Sequence, residues 1–189
     1  MTKASTNHPA DERVLVARVA KGDKDAFQEL LNNHQLAIYR YCMLMVADKD
    51  AANDIFQDIF FAFYKACRKG RDVHNVRGYL VVAARSRCLD YIERKNRHVG
   101  LETPQEQSWE QDFDAGDTRE HLHEALQKIP EQYREAFVLF ALKEYSYEEI
   151  ARMLSIGKHV VKNRIYRAKQ SLQKILAPLL RDSNGNESL

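Results

Sequence analysis

Between Ile150 and Arg181 the chain carries eight Lys or Arg side chains and no acidic one. An ordinary solvated helix face mixes signs, because opposite charges three or four residues apart support the helix. A surface of one sign asks for an anionic partner, and the phosphates of DNA are such a partner. A wheel stepping about 100° per residue from Val161 puts Ile165, Ala168 and Leu172 within about 40° of it, a face for burial. His159, Asn163, Tyr166, Arg167 and Gln170 fall opposite, with Lys162, Arg164 and Lys169 on the flanks and Lys158 at the start. These side chains offer donors to base edges and to phosphates. The competing reading is a basic amphipathic helix that packs on a protein or a membrane.

Two further groups of residues could bind rather than pack. In AANDIFQDIFFAFYKAC, residues 51–67, Asp54, Gln57 and Asp58 share one side of a helix, while Ile55, Ile59, Ala62 and Ala66 repeat along another. In VRGYLVVAARSRCLDYIERKNR, Arg77, Arg85, Arg87, Arg94, Lys95 and Arg97 alternate with Tyr79 and Tyr91. Bases stack on aromatic rings for about 1–3 kcal/mol each while cations hold the phosphates, so this mixture suits nucleic acid. No arrangement for covalent or metal chemistry accompanies these groups. There is no Ser-His-Asp or Cys-His pattern and no Gly-rich phosphate loop, and His121 and His123 stand without clustered ligands. The three cysteines, Cys42, Cys67 and Cys88, lie apart inside apolar helical patterns and read as buried thiols.

The elements that must position these residues are helices. Apolar residues recur at three- and four-residue spacing, and no stretch shows sustained strand alternation. The pattern predicts helices at about 11–20, 25–46, 49–69, 76–97, 119–129, 131–143, 147–154 and 158–176. All four prolines, Pro9, Pro104, Pro130 and Pro178, fall near the ends of these patterns. Ser146 and Glu149 match a capping box, Ala151 permits close approach of a second helix, and Ser155-Ile156-Gly157 reads as the turn. With Ile150, Leu154, Ile156, Val161 and Ile165 as the apolar seam, this is helix-turn-helix spacing.

The formal charge of +2 conceals an uneven layout. Residues 1–97 carry net +5 and residues 128–189 net +4, whereas residues 98–127 hold one basic and eight acidic side chains. The segment VGLETPQEQSWEQDFDAGDT has Pro, Gly and six acids without periodicity, so it reads as a linker. It either solvates the chain or mimics nucleic acid in a partner's basic channel. The expected fold class is all-α: two helical domains joined by a flexible acidic linker, the C-terminal one containing a helix-turn-helix. The expected domains are 1–97, a linker at 98–118, and 119–189. No run approaches the roughly 18 apolar residues of a membrane span, and MTKASTNHPADER has no apolar stretch of a secretory signal, so a cytoplasmic protein is expected.

Taken together, these residues resemble a known family, the bacterial sigma factors of the extracytoplasmic-function (group IV) type within the sigma-70 superfamily. DIFQDIFFAFYKA at 54–66 is similar to D-L-V-Q-E-V-F-x-x-x-W-x-A, and GYLVVAARSRCLDYIERKNR at 78–97 to W-L-x-x-I-A-R-N-x-x-x-D-x-x-R-R. ALQKIPEQYREAFVLFALKEYSYEEIARML at 125–154, followed by the basic helix, completes the series. The resemblance covers residues 12–177. Tyr79 stands where the family has Trp, Ser86 where it has Asn, Glu144 where it often has Gly, and HVVKNR at 159–164 where it has Gly-Thr-Val-Lys-Ser-Arg.

The resemblance implies a protein that is not an enzyme, needs no cofactor and has no small-molecule substrate. It implies binding to core RNA polymerase, choice of promoter and help in opening the duplex. Asp54, Gln57 and Asp58 would dock on the clamp helices of the polymerase's largest subunit. Asn75, Arg77, Tyr79, Arg85 and Ser86 would capture the non-template strand of the minus-ten element. Separating a base step costs on the order of 1–2 kcal/mol of stacking, which a pocket for flipped bases can offset. Lys158, His159, Lys162, Asn163, Arg164, Tyr166, Arg167 and Gln170 would read the minus-thirty-five element as duplex. An anti-sigma factor, often membrane-bound in the family, would hold the protein off. A stand-alone helix-turn-helix regulator and a protein-binding adaptor are the alternatives.

Overall fold

Apolar spacing of three and four residues produces helices throughout. The computed structural model describes residues 9–99, 118–142 and 145–184. They form α1 (Pro9–Ala20), α2 (Lys24–Val46), α3 (Lys49–Arg68), α4 (Val76–Val99), α5 (Thr118–Gln127), α6 (Glu131–Ala141), α7 (Tyr147–Leu154) and α8 (Lys158–Asn184), with no strand among the described residues. The all-α expectation holds, and each predicted helix is present. Most of the predicted linker, and Pro104 and Glu144 with it, lies outside the described residues. Its ends are helical, since α4 continues to Val99 and α5 starts at Thr118.

The largest departure is at the C-terminus, where α8 runs through Pro178 to Asn184 instead of stopping at 176. The expectation that every proline lies near a helix end therefore fails at Pro178. A proline inside a helix forfeits one backbone bond to the carbonyl four residues earlier. Lys174 and Pro178 are both exposed, so water can take up that carbonyl. Pro9 is the first residue of α1 and Pro130 the N-cap of α6, positions where the missing N–H costs nothing.

Helix ends are set by chemistry that the sequence displays. In α1 and α3 the closing residue is a glycine in the left-handed region, Gly22 at φ +97° and Gly70 at φ +74°. Each is followed by a paired set of backbone bonds: Asp23 N to Arg18 O with Gly22 N to Val19 O, and Arg71 N to Ala66 O with Gly70 N to Cys67 O. Asp23 then caps α2, its Oδ1 accepting from the N–H groups of Asp25 and Ala26 at 3.0 Å. The Ala26 N–H first, and Arg18 second, hold the Asp23 carboxyl below the usual carboxylate range. That contribution to stability is present above the ordinary Asp value and is lost as pH falls through the depressed one.

Chain packing divides into two units, Met1–Met43 with Asp48–Asp90, and Leu44–Ala47 with Tyr91–Leu189. In the first, α1 packs on α3. Aromatic contacts tie α2 to α3, with Phe27 against Tyr64 at 5.0 Å and Tyr39 edge-on to Phe56 at 5.9 Å. Phe63 joins α3 to α4 through Tyr79 at 5.6 Å. The buried side of α3 is Ala52, Ile59, Phe60, Phe63 and Cys67. Of the predicted series Ile55, Ile59, Ala62 and Ala66, only Ile59 is fully buried, because the larger rings of Phe60 and Phe63 turn the helix toward themselves. His34 is buried beside Glu12, its Nε2 2.8 Å from the carboxylate.

Cys42, Cys67 and Cys88 are free and buried, and burial pushes the Cys67 thiol up to about 11. The thiolate is the reactive form, so it is scarce below that pH. Native protein at pH 8 should therefore react slowly with a thiol reagent at all three positions. In denaturant, three equivalents should titrate at once. Rapid native labelling at any of the three would contradict the packing.

The second unit is organised around α8, which is contacted by α5, α6 and α7. Ala125, Leu126, Ile129, Ala168 and Leu172 form its buried cluster, with Tyr133 and Phe137 packed against the edge. Ile150, Leu154, Val161 and Ile165 bury the seam between α7 and α8.

Candidate nucleic-acid interface

The helix-turn-helix is built as its residues require. Ser146 Oγ accepts from the Glu149 N–H at 3.2 Å, and the Glu149 carboxylate accepts from the Ser146 N–H at 2.8 Å, completing the capping box. At the other end of α7 the left-handed residue is Ser155, at φ +54°, rather than Gly157. Ile156 N bonds Ala151 O and Ser155 N bonds Arg152 O, the same closure seen at Gly22 and Gly70. Gly157 leaves room for the exposed His159 ring, which a side chain at 157 would displace. A Cβ there would lie 2.8 Å from Cε1 of His159, whose ring folds back over the turn.

Along α8 the predicted division of faces is realised. Val161, Ile165, Ala168 and Leu172 are buried, while His159, Lys162, Asn163, Tyr166, Arg167 and Gln170 are exposed and Arg164 is half-buried. Tyr166 is 60% exposed, an aromatic left outside with no core to fill. Its hydroxyl accepts from Gln170 Nε2 at 2.7 Å, and Asn163 Oδ1 accepts from Arg167 Nε at 2.9 Å. Lys158 is exposed but bonded to Glu148 of α7, and that hydrogen bond chiefly holds the Glu148 carboxyl below its usual range. Lys162 sits 5.7 Å from the Tyr147 ring centroid and Lys169 4.7 Å from that of Phe140. The outer face of α8 also borders a groove of about 390 Å³ lined by Tyr133, Asn163, Tyr166, Arg167, Gln170, Ser171 and Lys174.

In the first unit Asp54, Gln57 and Asp58 are all exposed on α3, as the spacing predicts. Asp58 is paired with Arg87 of α4 at 2.9 Å, a contact between residues 29 apart that no local pattern signals. Phe61, 58% exposed with Lys65 over its ring at 4.0 Å, extends the same stripe by one turn.

The five residues assigned to strand capture do not share one face. Asn75 is the cap of α4: its Oδ1 accepts from the Gly78 N–H at 2.8 Å. Stepping about 100° per residue from Ser86 leaves Tyr79 about 20° away, Arg85 about 100° away and Arg77 about 180° away. Ser86 is exposed, whereas Arg77, Tyr79 and Arg85 are half-buried. Tyr79 packs on Phe63, with the guanidinium of Arg71 5.8 Å from its ring centroid. Before α4, Arg13 Nη2 lies 2.7 Å from His74 Nδ1, and His74 Nε2 lies 3.0 Å from Asp72, so α1 braces this loop. Arg13 of α1 thus fixes the loop that leads into α4, a contact between residues 61 apart.

No three His, Cys, Asp or Glu side chains gather to hold a metal among the described residues, and no described helix is long and apolar enough to cross a membrane. His121 and His123 are half-buried on α5.

Residues 30–98 match the family model for sigma-70 region 2, and residues 119–172 that for sigma-70 region 4. The RNA polymerase sigma-H factor of Pseudomonas aeruginosa is 27% identical, over 91% of this chain and 97% of that protein. The ECF RNA polymerase sigma-E factor of Escherichia coli is 29% identical, over 90% of this chain and 96% of that protein. Among solved structures, CnrH in complex with the cytosolic domain of CnrY aligns with a TM-score of 0.67 at 24% identity, covering 88% of this chain and 97% of that one. The sigma factor RpoE of Bartonella quintana, in complex with the anti-sigma factor NepR, aligns at 0.65 and 21%, covering 82% and 98%.

Proposed function

The chain belongs to the sigma-70 family, as an RNA polymerase sigma factor of the extracytoplasmic-function type, and from that premise we propose how its surfaces divide the work of starting transcription. The exposed stripe of Asp54, Gln57 and Asp58 docks on the clamp helices of the largest polymerase subunit. The outer face of α8, from Lys158 to Gln170, enters the major groove of the minus-thirty-five element. Tyr79 and Ser86 on α4, with the loop before it, meet the unpaired minus-ten strand, and Arg85 holds its phosphates from the flank, whereas Arg77 lies on the opposite side of α4 and is left out of this contact. Asn75 contributes by fixing the start of α4. Synthesis of RNA belongs to the polymerase, while this chain supplies binding and positioning in the cytoplasm where that enzyme works.

The observation that carries the reading is the pairing of two matched regions with two separate exposed surfaces. A stand-alone helix-turn-helix regulator would account for residues 119–172 and leave the match over 30–98 without a purpose. An anti-sigma factor that covers both surfaces would silence the protein, a proposal supported by the partner seen with the similar RpoE.

The direct test adds the purified chain to core RNA polymerase and fragments of genomic DNA. Transcripts should start at a discrete set of sites that core polymerase alone does not use. Absence of both a stable complex with core polymerase and any new start site would overturn the reading.

A further inference from the structure

The site on α8 contains a component that belongs to neither α8 nor the turn motif. Tyr133, in the first turn of α6, packs against the buried cluster formed by Ala125, Leu126, Ile129, Ala168 and Leu172. Arg167 of the recognition helix reaches the same ring from outside that cluster. The Arg167 guanidinium carbon lies 5.9 Å from the ring centroid, and Arg167 Nη1 approaches the Tyr133 hydroxyl at 3.4 Å. Asn163 holds the same guanidinium from the other direction, accepting from Nε at 2.9 Å. Tyr133 and Arg167 also share the wall of the groove beside α8.

We propose that Tyr133 is a positioning residue for promoter recognition: it holds the Arg167 fork in a set orientation before DNA arrives. An exposed arginine has many rotamers, and ordering it on binding weakens the complex. A guanidinium held at the edge of a ring that is itself anchored by packing has already given up part of that freedom. Two of its five donors point to Tyr133 and Asn163, and the remainder are left for DNA. The ring is the platform and the hydroxyl is the pointer, so the two parts of Tyr133 should be separable. The inference rests on the assignment of α8 to the minus-thirty-five duplex.

The test uses the full chain assembled with core polymerase, and as probe a promoter duplex selected from genomic fragments by the wild-type holoenzyme. Each base pair of its upstream element is then substituted in turn. Arg167→Ala should flatten discrimination at one or two of those base pairs. Tyr133→Leu should reproduce that flattening at the same base pairs with about a threefold to tenfold loss of affinity for the parent duplex. Tyr133→Phe should retain most of the affinity and lose part of the discrimination. The double variant Tyr133→Leu with Arg167→Ala should be no weaker than Arg167→Ala alone, since one residue acts through the other.

Additive losses in the double variant, or equal weakening on every substituted duplex with Arg167 present, would overturn the positioning role. A holoenzyme with Arg167→Ala that discriminates as well as wild type would instead overturn the assignment of α8 on which it rests. Thermal melting of each variant separates these outcomes from a collapse of the α6–α8 packing, and Tyr133→Phe, which keeps the ring, carries the test if Tyr133→Leu does not fold.

Discussion

Replacing Lys162 and Arg167 together by glutamate should lower the affinity of the holoenzyme for its promoter at least thirtyfold and leave the fold intact. Both side chains are exposed on α8, opposite the buried face of Val161, Ile165, Ala168 and Leu172, so neither substitution opens a cavity. Each well-made contact from a recognition helix is worth about 1–3 kcal/mol, and two lost contacts therefore remove roughly 2–6 kcal/mol. Salt supplies a second readout. The slope of log K against log salt should shrink by about 0.9 for each phosphate no longer neutralised. A pair of cations that served only solubility would leave both affinity and slope near their wild-type values. Binding titrations at several salt concentrations, with circular dichroism to check helicity, decide between them.

The second large effect is expected at the other surface. Asp58→Arg should weaken association with core polymerase by two orders of magnitude or more, because a like charge placed against a complementary surface costs several kcal/mol. The same substitution also breaks the ion pair with Arg87, so a structural explanation must be separated from a docking one. The pair is solvent-exposed on both sides, and such pairs contribute about 1 kcal/mol or less. Exchanging the two charges, Asp58→Arg with Arg87→Asp, restores the pair within the chain and leaves the docking stripe reversed. The exchanged variant should fold with wild-type stability and still fail to bind core polymerase in a pull-down or by fluorescence anisotropy. Recovery of binding would show that Asp58 matters only through Arg87.

The helices were legible because their chemistry is local. The capping box at Ser146 and Glu149 and the apolar stripe of α8 are both read from neighbours a few residues apart. What escaped a linear reading is of two kinds. Contacts that join distant residues, Asp58 with Arg87 and Tyr133 with Arg167, depend on which helices pack together, and no periodicity encodes them. Competition between similar local signals accounts for the rest. Within the turn Ser155-Ile156-Gly157, the left-handed residue is Ser155, because closing α7 requires it one residue after Leu154. Asn75, which the family resemblance assigns to strand capture, is engaged in capping α4. The buried face of α3 rotated toward Phe60 and Phe63 because ring volume outweighs the regular spacing of smaller residues such as Ala62 and Ala66. A motif alignment names positions, and the packing decides which of them are free to touch a partner.

The grip of this chain on promoter DNA at two places should depend on its being mounted on core polymerase. That dependence is tested most directly by footprinting one promoter with the chain alone, with core polymerase alone and with both. Only the mixture should protect the upstream duplex from nuclease and render thymines of the downstream element reactive to permanganate. The Lys162 and Arg167 glutamate variant should lose the upstream protection. Equal protection and opening by the chain without core polymerase, or by core polymerase without the chain, would contradict it.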